Sequence, residues 1–470
     1  MAVSSERPGT GCALHGALLS AAAVPGVVPI LHATAGCAVQ AGHGGTAGAA
    51  GWSGGLGVPA TNVFEKQVVF GATARLREQI KNAVKILDGQ LYVVLSSCAT
   101  EMIGDDIPAM AKEAREQGLP VIDVATAGFR GPAHEGYTLF LKGVLAQAGR
   151  LGAPGPRDPA LVNLLGIVPG QDVFWEGELA EWSRLLAGIG LRANPLFGPD
   201  GGVDGLRDLP RAAISLVFSP WGLEVARGLE QSAGVPWLDA GGLPVGVEAS
   251  AELLRALAAR LGADAAPVEA VIAAERRRED HALLRLAEAW HRLELQREFA
   301  LVAGSLQVPG LVRFLVGTLG WLPRTIVVTD ALPEPARAAL EATLAATTEG
   351  FEARVLFSDN AAEIADAVLA QGAEIVLGRA FERDVAERLG VPLVELAFPV
   401  ADRLVLDSFY SGPRGARRLI EEIGRAALAG GRAPAEDTQP ALPTPVVVPA
   451  QPIASSAPAT AGRTAPLPAT

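Results

Sequence analysis

Two hydrophobic periods divide this chain. Continuous apolar runs bounded by Gly, Pro or Ser read as buried strands, and apolar residues three and four apart read as helices with one packed face. In the first 155 residues the runs are 27–31, 91–95 and 121–124. Helical stretches lie at 13–23, 71–87 and 109–117. Pro25-Gly26 ends the first, and Leu76, Ile80, Val84 and Leu87 line one face of the second. Asp105 or Asp106 stands where an N-cap belongs, with Pro108 in the next turn. The Gly- and Ala-rich segment 41–57 reads as a loop, and His43 within it as a solvated histidine.

The alternation repeats twice more. Residues 149–159, rich in Gly, Pro and Arg, mark a boundary. Strands follow at 161–168, 213–218 and 236–239, with helices at 177–189 and 226–232. Residues 249–297 read as largely helical, around the run Glu275-Arg276-Arg277-Arg278-Glu279-Asp280. A solvated or domain-bridging helix accounts for that run and for His281 and His291. The third set has helices at 311–318, 334–347, 360–371, 380–389 and 416–428, and strands at 325–329, 351–356, 374–378 and 391–396.

Strand–helix alternation of this kind builds parallel, doubly wound sheets. The expected fold is α/β, with three Rossmann-like doubly wound domains at 1–155, 156–300 and 301–429. The Ala- and Pro-rich tail, 430–470, cannot bury a core and is expected to be disordered. No GxGxxG or GxxxxGK[ST] follows the strands of the third set, so no nucleotide site is expected.

Composition narrows the partners. The 470 residues carry a net charge of −12, and the sequence pI is about 5.1. That balance argues against nucleic acid and against an anionic membrane surface. The mean hydropathy is +0.29, yet the most apolar early stretch, 13–31, is broken by His15, Pro25, Gly26 and Pro29. It reads neither as a membrane span nor as a signal peptide. The expected setting is cytoplasmic and reducing, where thiols stay free to bind metal.

The three cysteines are Cys12, Cys37 and Cys98. Gly11, Gly36 and Ser97 precede them. Small residues let the backbone come close and aim N–H groups at an anion. Cys98 ends a strand and precedes a helix, where open α/β sheets place ligands. Soft thiolate sulfur is the usual ligand of iron–sulfur clusters. Buried packing is the competing account for scattered cysteines without CxxC. A disulfide is disfavoured by the odd count and the missing signal peptide. Four thiolates are the usual cluster set, so three require a ligand from elsewhere, most simply from another chain.

Several segments resemble the nitrogenase component 1 superfamily. Residues 11–40 resemble its first cluster segment: a cysteine, an apolar helix, then His32-Ala33-Thr34-Ala35-Gly36-Cys37. Glu65-Lys66-Gln67-Val68-Val69-Phe70-Gly71 is similar to its Glu-Lys-x-Val-Val-Phe-Gly-Gly element, with Ala72 for the last glycine. Cys98-Ala99-Thr100-Glu101-Met102-Ile103-Gly104-Asp105-Asp106 resembles its Cys-x-x-Glu-x-Ile-Gly-Asp-Asp element. Residues 125–131 resemble its Thr-Pro-x-Phe-x-Gly loop. There Gly128 replaces a serine that can bind the oxidised cluster in molybdenum nitrogenase β chains, so no oxygen ligand carries over. Residues 166–191, Asp402-Arg403 and the segment 410–415 resemble later elements, and the likeness spans roughly 11–428.

The resemblance implies a β-type subunit. Cys12, Cys37 and Cys98 would be its share of the ligands to an [8Fe-7S] P-cluster held jointly with a homologous α subunit in an α2β2 heterotetramer. An ATP-dependent iron protein would be the transient electron donor. The catalytic iron–sulfur cofactor would sit in the α subunit, leaving this chain no substrate-contacting catalytic residue. The wording of 11–40 and 75–110 is most similar to β subunits of methylthio-alkane reductases, which implies reductive C–S cleavage. A dinitrogen-reducing nitrogenase β subunit, a cofactor-assembly scaffold and a metal-free small-molecule binder are the alternatives.

Overall fold

The computed structural model describes residues 11–44, 58–152, 155–292 and 295–429. The expected tail at 430–470 lies outside them, as does 45–57 of the expected loop. Three parallel sheets organise the chain. The first has the order β1 (Val27–His32), β2 (Leu91–Ser96), β3 (Val121–Val124). The second is built from β4 (Asp158–Leu165), β5 (Arg192–Ala193), β6 (Ala212–Val217) and β7 (Trp237–Asp239), in the order β5-β4-β6-β7. The third contains β8 (Glu298–Ala303), β9 (Leu322–Val328), β10 (Arg354–Phe357), β11 (Ile375–Gly378) and β12 (Leu393–Glu395), in the order β10-β9-β8-β11-β12.

These strands read as unbroken apolar runs because helices cover both faces. Successive residues of a strand point to opposite faces. In β2, Leu91, Val93 and Leu95 enter one core with Leu14, Leu18 and Phe140. Tyr92 and Val94 enter another with Leu76, Ile80 and Ala111. The same division splits β8: Phe299, Leu301 and Ala303 on one side, Ala300 and Val302 on the other.

The helices of the first part are α1 (Ala13–Ala22), α2 (Ala35–Gly44), α3 (Glu65–Phe70), α4 (Thr73–Ile86), α5 (Cys98–Met102), α6 (Ile107–Glu116) and α7 (Ala133–Ala146). Then come α8 (Trp175–Gly188), α9 (Val203–Asp208), α10 (Leu223–Ala233), α11 (Gly246–Leu261) and α12 (Ala265–Arg292). The last are α13 (Val308–Gly317), α14 (Glu334–Thr347), α15 (Ala361–Gln371), α16 (Arg383–Leu389) and α17 (Gly412–Ala429). Among the described residues, no helix is long and apolar enough to cross a membrane.

Helices α1 and α7 cross backbone to backbone. A Cβ added to Gly16 would lie 1.7 Å from the Ala133 oxygen, and one added to Gly136 would lie 2.1 Å from the Ala13 oxygen. No side chain larger than hydrogen fits either position without moving a helix. The crossing seats Cys12 beside the start of α7: the Ala13 N–H donates to the Gly131 oxygen and the Ala133 N–H to the Gly11 oxygen.

Some elements differ from expectation. Residues 41–44 continue α2 rather than forming a loop. His43 lies on that helix, and its side chain is not among those described. Helix α5 begins at Cys98 itself, because the Ser97 hydroxyl accepts from the Thr100 N–H and caps the turn. Asp106 caps α6 through the Ala109 N–H. Strand β8, at the centre of the third sheet, stands directly after the stretch expected to be helical to residue 297. The charged run of α12 is only partly solvated. Glu275 is buried and takes Arg184 of α8 at 2.9 Å and Arg278 at 2.8 Å, whereas His281 and His291 are exposed.

Candidate metal centre

Each cysteine stands where a helix begins. Cys12 immediately precedes α1, Cys37 lies in the first turn of α2, and Cys98 opens α5. Helix starts carry unpaired N–H groups that can be aimed at an anion. Because β1 and β2 are parallel neighbours, with His32 opposite Ser96, the Cys37 and Cys98 turns emerge side by side. The α1–α7 crossing brings Cys12 to the same end.

Gly128 records how close the sulfurs come. A Cβ built on it would lie 3.1 Å from the Cys98 Sγ and 3.2 Å from the Cys12 Sγ. Both sulfurs therefore flank one small cradle that glycine leaves open. The Gly128 N–H donates to the Cys98 Sγ over 3.1 Å. Cys98 is exposed, and Cys12 and Cys37 are half-buried.

His15, one turn into α1, links two of the cysteines. Its Nδ1 lies 3.5 Å from the Cys12 Sγ, and its Nε2 donates to the Cys37 carbonyl over 3.2 Å. Burial alone would push the Cys12 thiol up, but the hydrogen bond and charge of His15 outweigh it and bring the pKa to about 7. The Cys37 thiol moves the other way. Burial raises it, and neighbouring Cys12 and Cys98 add to the rise, against a lowering contact from Thr34.

The other motif residues build the frame. His32 is fully buried, with Nε2 2.9 Å from an Asp105 oxygen and Nδ1 3.1 Å from the Thr61 hydroxyl. The second Asp105 oxygen accepts from the Ala72 N–H at 2.9 Å. His32 is thus a tie between the Cys37 turn, the Cys98 turn and the start of α4. Thr100 donates its hydroxyl to the His32 carbonyl at 2.9 Å. Glu101 points to the turn that carries Gly128 and pairs with Arg130 at 2.7 Å. In the sequence, His15, Glu101 and Arg130 have no visible connection to one another. Adjacent strands β2 and β3 bring Glu101 to Arg130, while His15 reaches Cys12 within one helical turn and the Cys37 carbonyl of α2.

Several apolar side chains are exposed near the cysteines. Helix α3 buries none of its residues and leaves Val69 and Phe70 exposed, Phe70 by 81%. Its flanks are pinned near the site, by Val63 N–H to the Ala33 oxygen and by Ala72 N–H to Asp105. Met102 and Phe129 are exposed beside Cys98 and Gly128.

The donor set decides what such a site could hold. Among the described residues, no three His, Cys, Asp or Glu side chains are arranged to hold a metal ion. Two cysteine sulfurs around one glycine, an amide N–H on one of them and a third cysteine joined to them through His15 would suit thiolate ligation of an iron–sulfur cluster. They do not fit a closed mononuclear site.

A second crevice lies where carboxyl ends of the second and third sheets face each other. It is lined by His134, Asp172, Trp221, Ser305, Asp330 and Arg379 among others, and its volume is about 30 Å³. That is room for a water molecule.

The sequence matches the family described as nitrogenase component 1 type oxidoreductase over residues 12–428. The chain belongs to that family. It is 27% identical over 454 residues to the nitrogenase molybdenum-iron protein beta chain of Frankia alni, covering 90% of this chain and 82% of that one. It is 28% identical over 412 residues to the nitrogenase iron-molybdenum cofactor biosynthesis protein NifE of Klebsiella pneumoniae, covering 84% and 86%. The solved structure of nitrogenase Cp1 at pH 6.5 superposes with a TM-score of 0.76 at 20% identity, covering 91% of this chain and 94% of that chain. That likeness carries the fold, which is the expected α/β arrangement of parallel sheets and helices.

Proposed function

We propose that this chain is the β-type, electron-relay subunit of a nitrogenase-like reductase. Cys12, Cys37 and Cys98 would bind an iron–sulfur cluster of the [8Fe-7S] type shared with an α-type partner. The observation that supports this reading is the approach of the Cys12 and Cys98 sulfurs to Gly128, with His15 joining Cys12 to the Cys37 carbonyl. A cluster bound there stores electrons and passes them on. The chain's own residues do the rest. His15 holds Cys12 toward its thiolate form, and the Gly128 N–H steadies the Cys98 sulfur. His32, Thr100 and Asp105 fix the turns. Phe70, Met102 and Phe129 give a partner an apolar rim to cover, which would exclude water from the cluster and tune its potential.

On this reading an ATP-dependent iron protein delivers the electrons, and the complex is an α2β2 heterotetramer. The three sheets are the hearts of domains 1–155, 156–300 and 301–429. Reductive C–S cleavage of methylthio-alkanes is the proposed reaction, supported by the wording of 11–40 and 75–110. The likeness to NifE favours a second reading, a cofactor-assembly scaffold.

The test is purification of the chain with its partner. The proposal expects stoichiometric iron and sulfide, a reversible cluster signal, and methanethiol released from a small methylthio-alkane when the iron protein and ATP are supplied. A complex that takes up and hands on a cofactor precursor without turnover would favour the scaffold. Ammonia from dinitrogen without methanethiol would replace the substrate and keep the relay.

A further inference from the structure

The turn that carries Gly128 is sewn to both sides of Cys98 by one carboxylate. Glu101, three residues after Cys98, is 15% exposed at its side chain. Its Oε1 accepts from the Ser96 hydroxyl at 2.5 Å, from the Ala127 N–H at 3.2 Å and from Arg130 Nε at 3.2 Å. Its Oε2 accepts from Arg130 Nε at 3.1 Å and from the terminal nitrogen at 2.7 Å. Ser96 in turn accepts the Thr126 N–H at 2.8 Å, and the Thr126 hydroxyl donates back to the Ser96 carbonyl at 2.8 Å. Residues 126, 127 and 130 are therefore all fixed. Gly128, between them, donates its N–H to the Cys98 Sγ over 3.1 Å.

We propose that Glu101 is a positioning residue that sets the reduction potential of the cluster, by holding the 126–130 turn so that the Gly128 N–H donates to the Cys98 sulfur. This rests on the relay reading above. A hydrogen bond to a ligating sulfur withdraws charge from it and favours the reduced, more negative cluster. The clamp is built for direction as well as hold. The bidentate Arg130 fork fixes the plane of the carboxylate, and the Ala127 N–H on the same carboxylate fixes the turn one residue before the functional amide.

The experiment uses the complex of this chain with its partner. Wild type, Glu101→Gln and Arg130→Ala are compared by iron content and by the midpoint potential of the cluster in an EPR-monitored redox titration. Both variants are expected to keep their iron and to shift the midpoint to more negative values. The double variant should shift it no further than the larger single change, because both act through one amide. If Glu101→Gln fails to assemble, Arg130→Lys takes its place. It keeps the cation but loses the fork, and a smaller shift of the same sign is expected. Loaded variants with an unmoved midpoint overturn the assignment and leave the relay reading standing. A wild-type complex without iron and sulfide sinks both.

Discussion

Gly128 and Cys98 show what a single position contributes. At Gly128 a methyl group would be wedged 3.1 Å from one cysteine sulfur and 3.2 Å from another, tighter than carbon and sulfur pack without displacement. Gly128→Ala should therefore displace the sulfurs slightly while the fold and the bound iron persist. The midpoint potential of the cluster should move, and the melting temperature of the chain should stay within a few degrees. An unmoved midpoint would mean that the cradle is not where the cluster sits. The cysteines themselves were legible in the sequence, as the chain's only thiols beside small residues. Their mutual approach was not, since 86 residues separate Cys12 from Cys98. The Glu101–Arg130 pair was invisible for the same reason, and so was the contact of His15 with Cys37, although Cys12 and His15 stand one helical turn apart. The Glu101–Arg130 pairing is set by which strands lie next to each other.

At the scale of elements, the crossing of α1 and α7 is the most exacting feature near the site. Gly16 and Gly136 are 120 positions apart in the sequence, so nothing in the local pattern announces that they face one another's helices. Gly136→Ala would push a methyl group into the α1 backbone. Overpacking of this kind costs about 1–3 kcal/mol, and here it also displaces the helix that starts at Cys12. Urea unfolding should show the loss of stability, and reconstituted iron should fall with it. A variant as stable as wild type would show that the helices can part freely. Most strands were readable because both faces are buried and the runs are therefore unbroken. β8 escaped because Gln296-Arg297-Glu298 continues the charge pattern of α12 up to its first residue. Only its place at the centre of a sheet explains why Phe299 to Ala303 are fully buried.

For the molecule as a whole, the tie between α8 and the segment before α17 sets a pH limit. Glu178 is buried, and its carboxyl accepts the Tyr410 N–H at 2.9 Å and the Ser411 N–H at 3.1 Å. Burial first, and the Asp172 carboxyl second, push its pKa to about 8 despite those donors. The folded chain therefore holds this proton more tightly than the unfolded chain, whose value is near 4.5. Stability from this group is complete below that value and is lost as pH rises toward 8. The loss is at most about 1.4 kcal/mol per pH unit. Glu178→Gln keeps an acceptor oxygen and cannot ionise, so its denaturation midpoint should fall less than that of wild type between pH 5.5 and 8. Parallel curves for the two proteins would show that Glu178 does not carry the titration.

The relay account is tested most directly by Cys98→Ala in the purified complex, with iron, sulfide and the cluster's redox signal measured beside wild type. The account predicts that the variant loses most of the shared cluster and all electron transfer to the partner. Full iron, an unchanged redox signal and undiminished turnover in that variant would contradict it, and would return Cys98 to the role of an ordinary surface thiol.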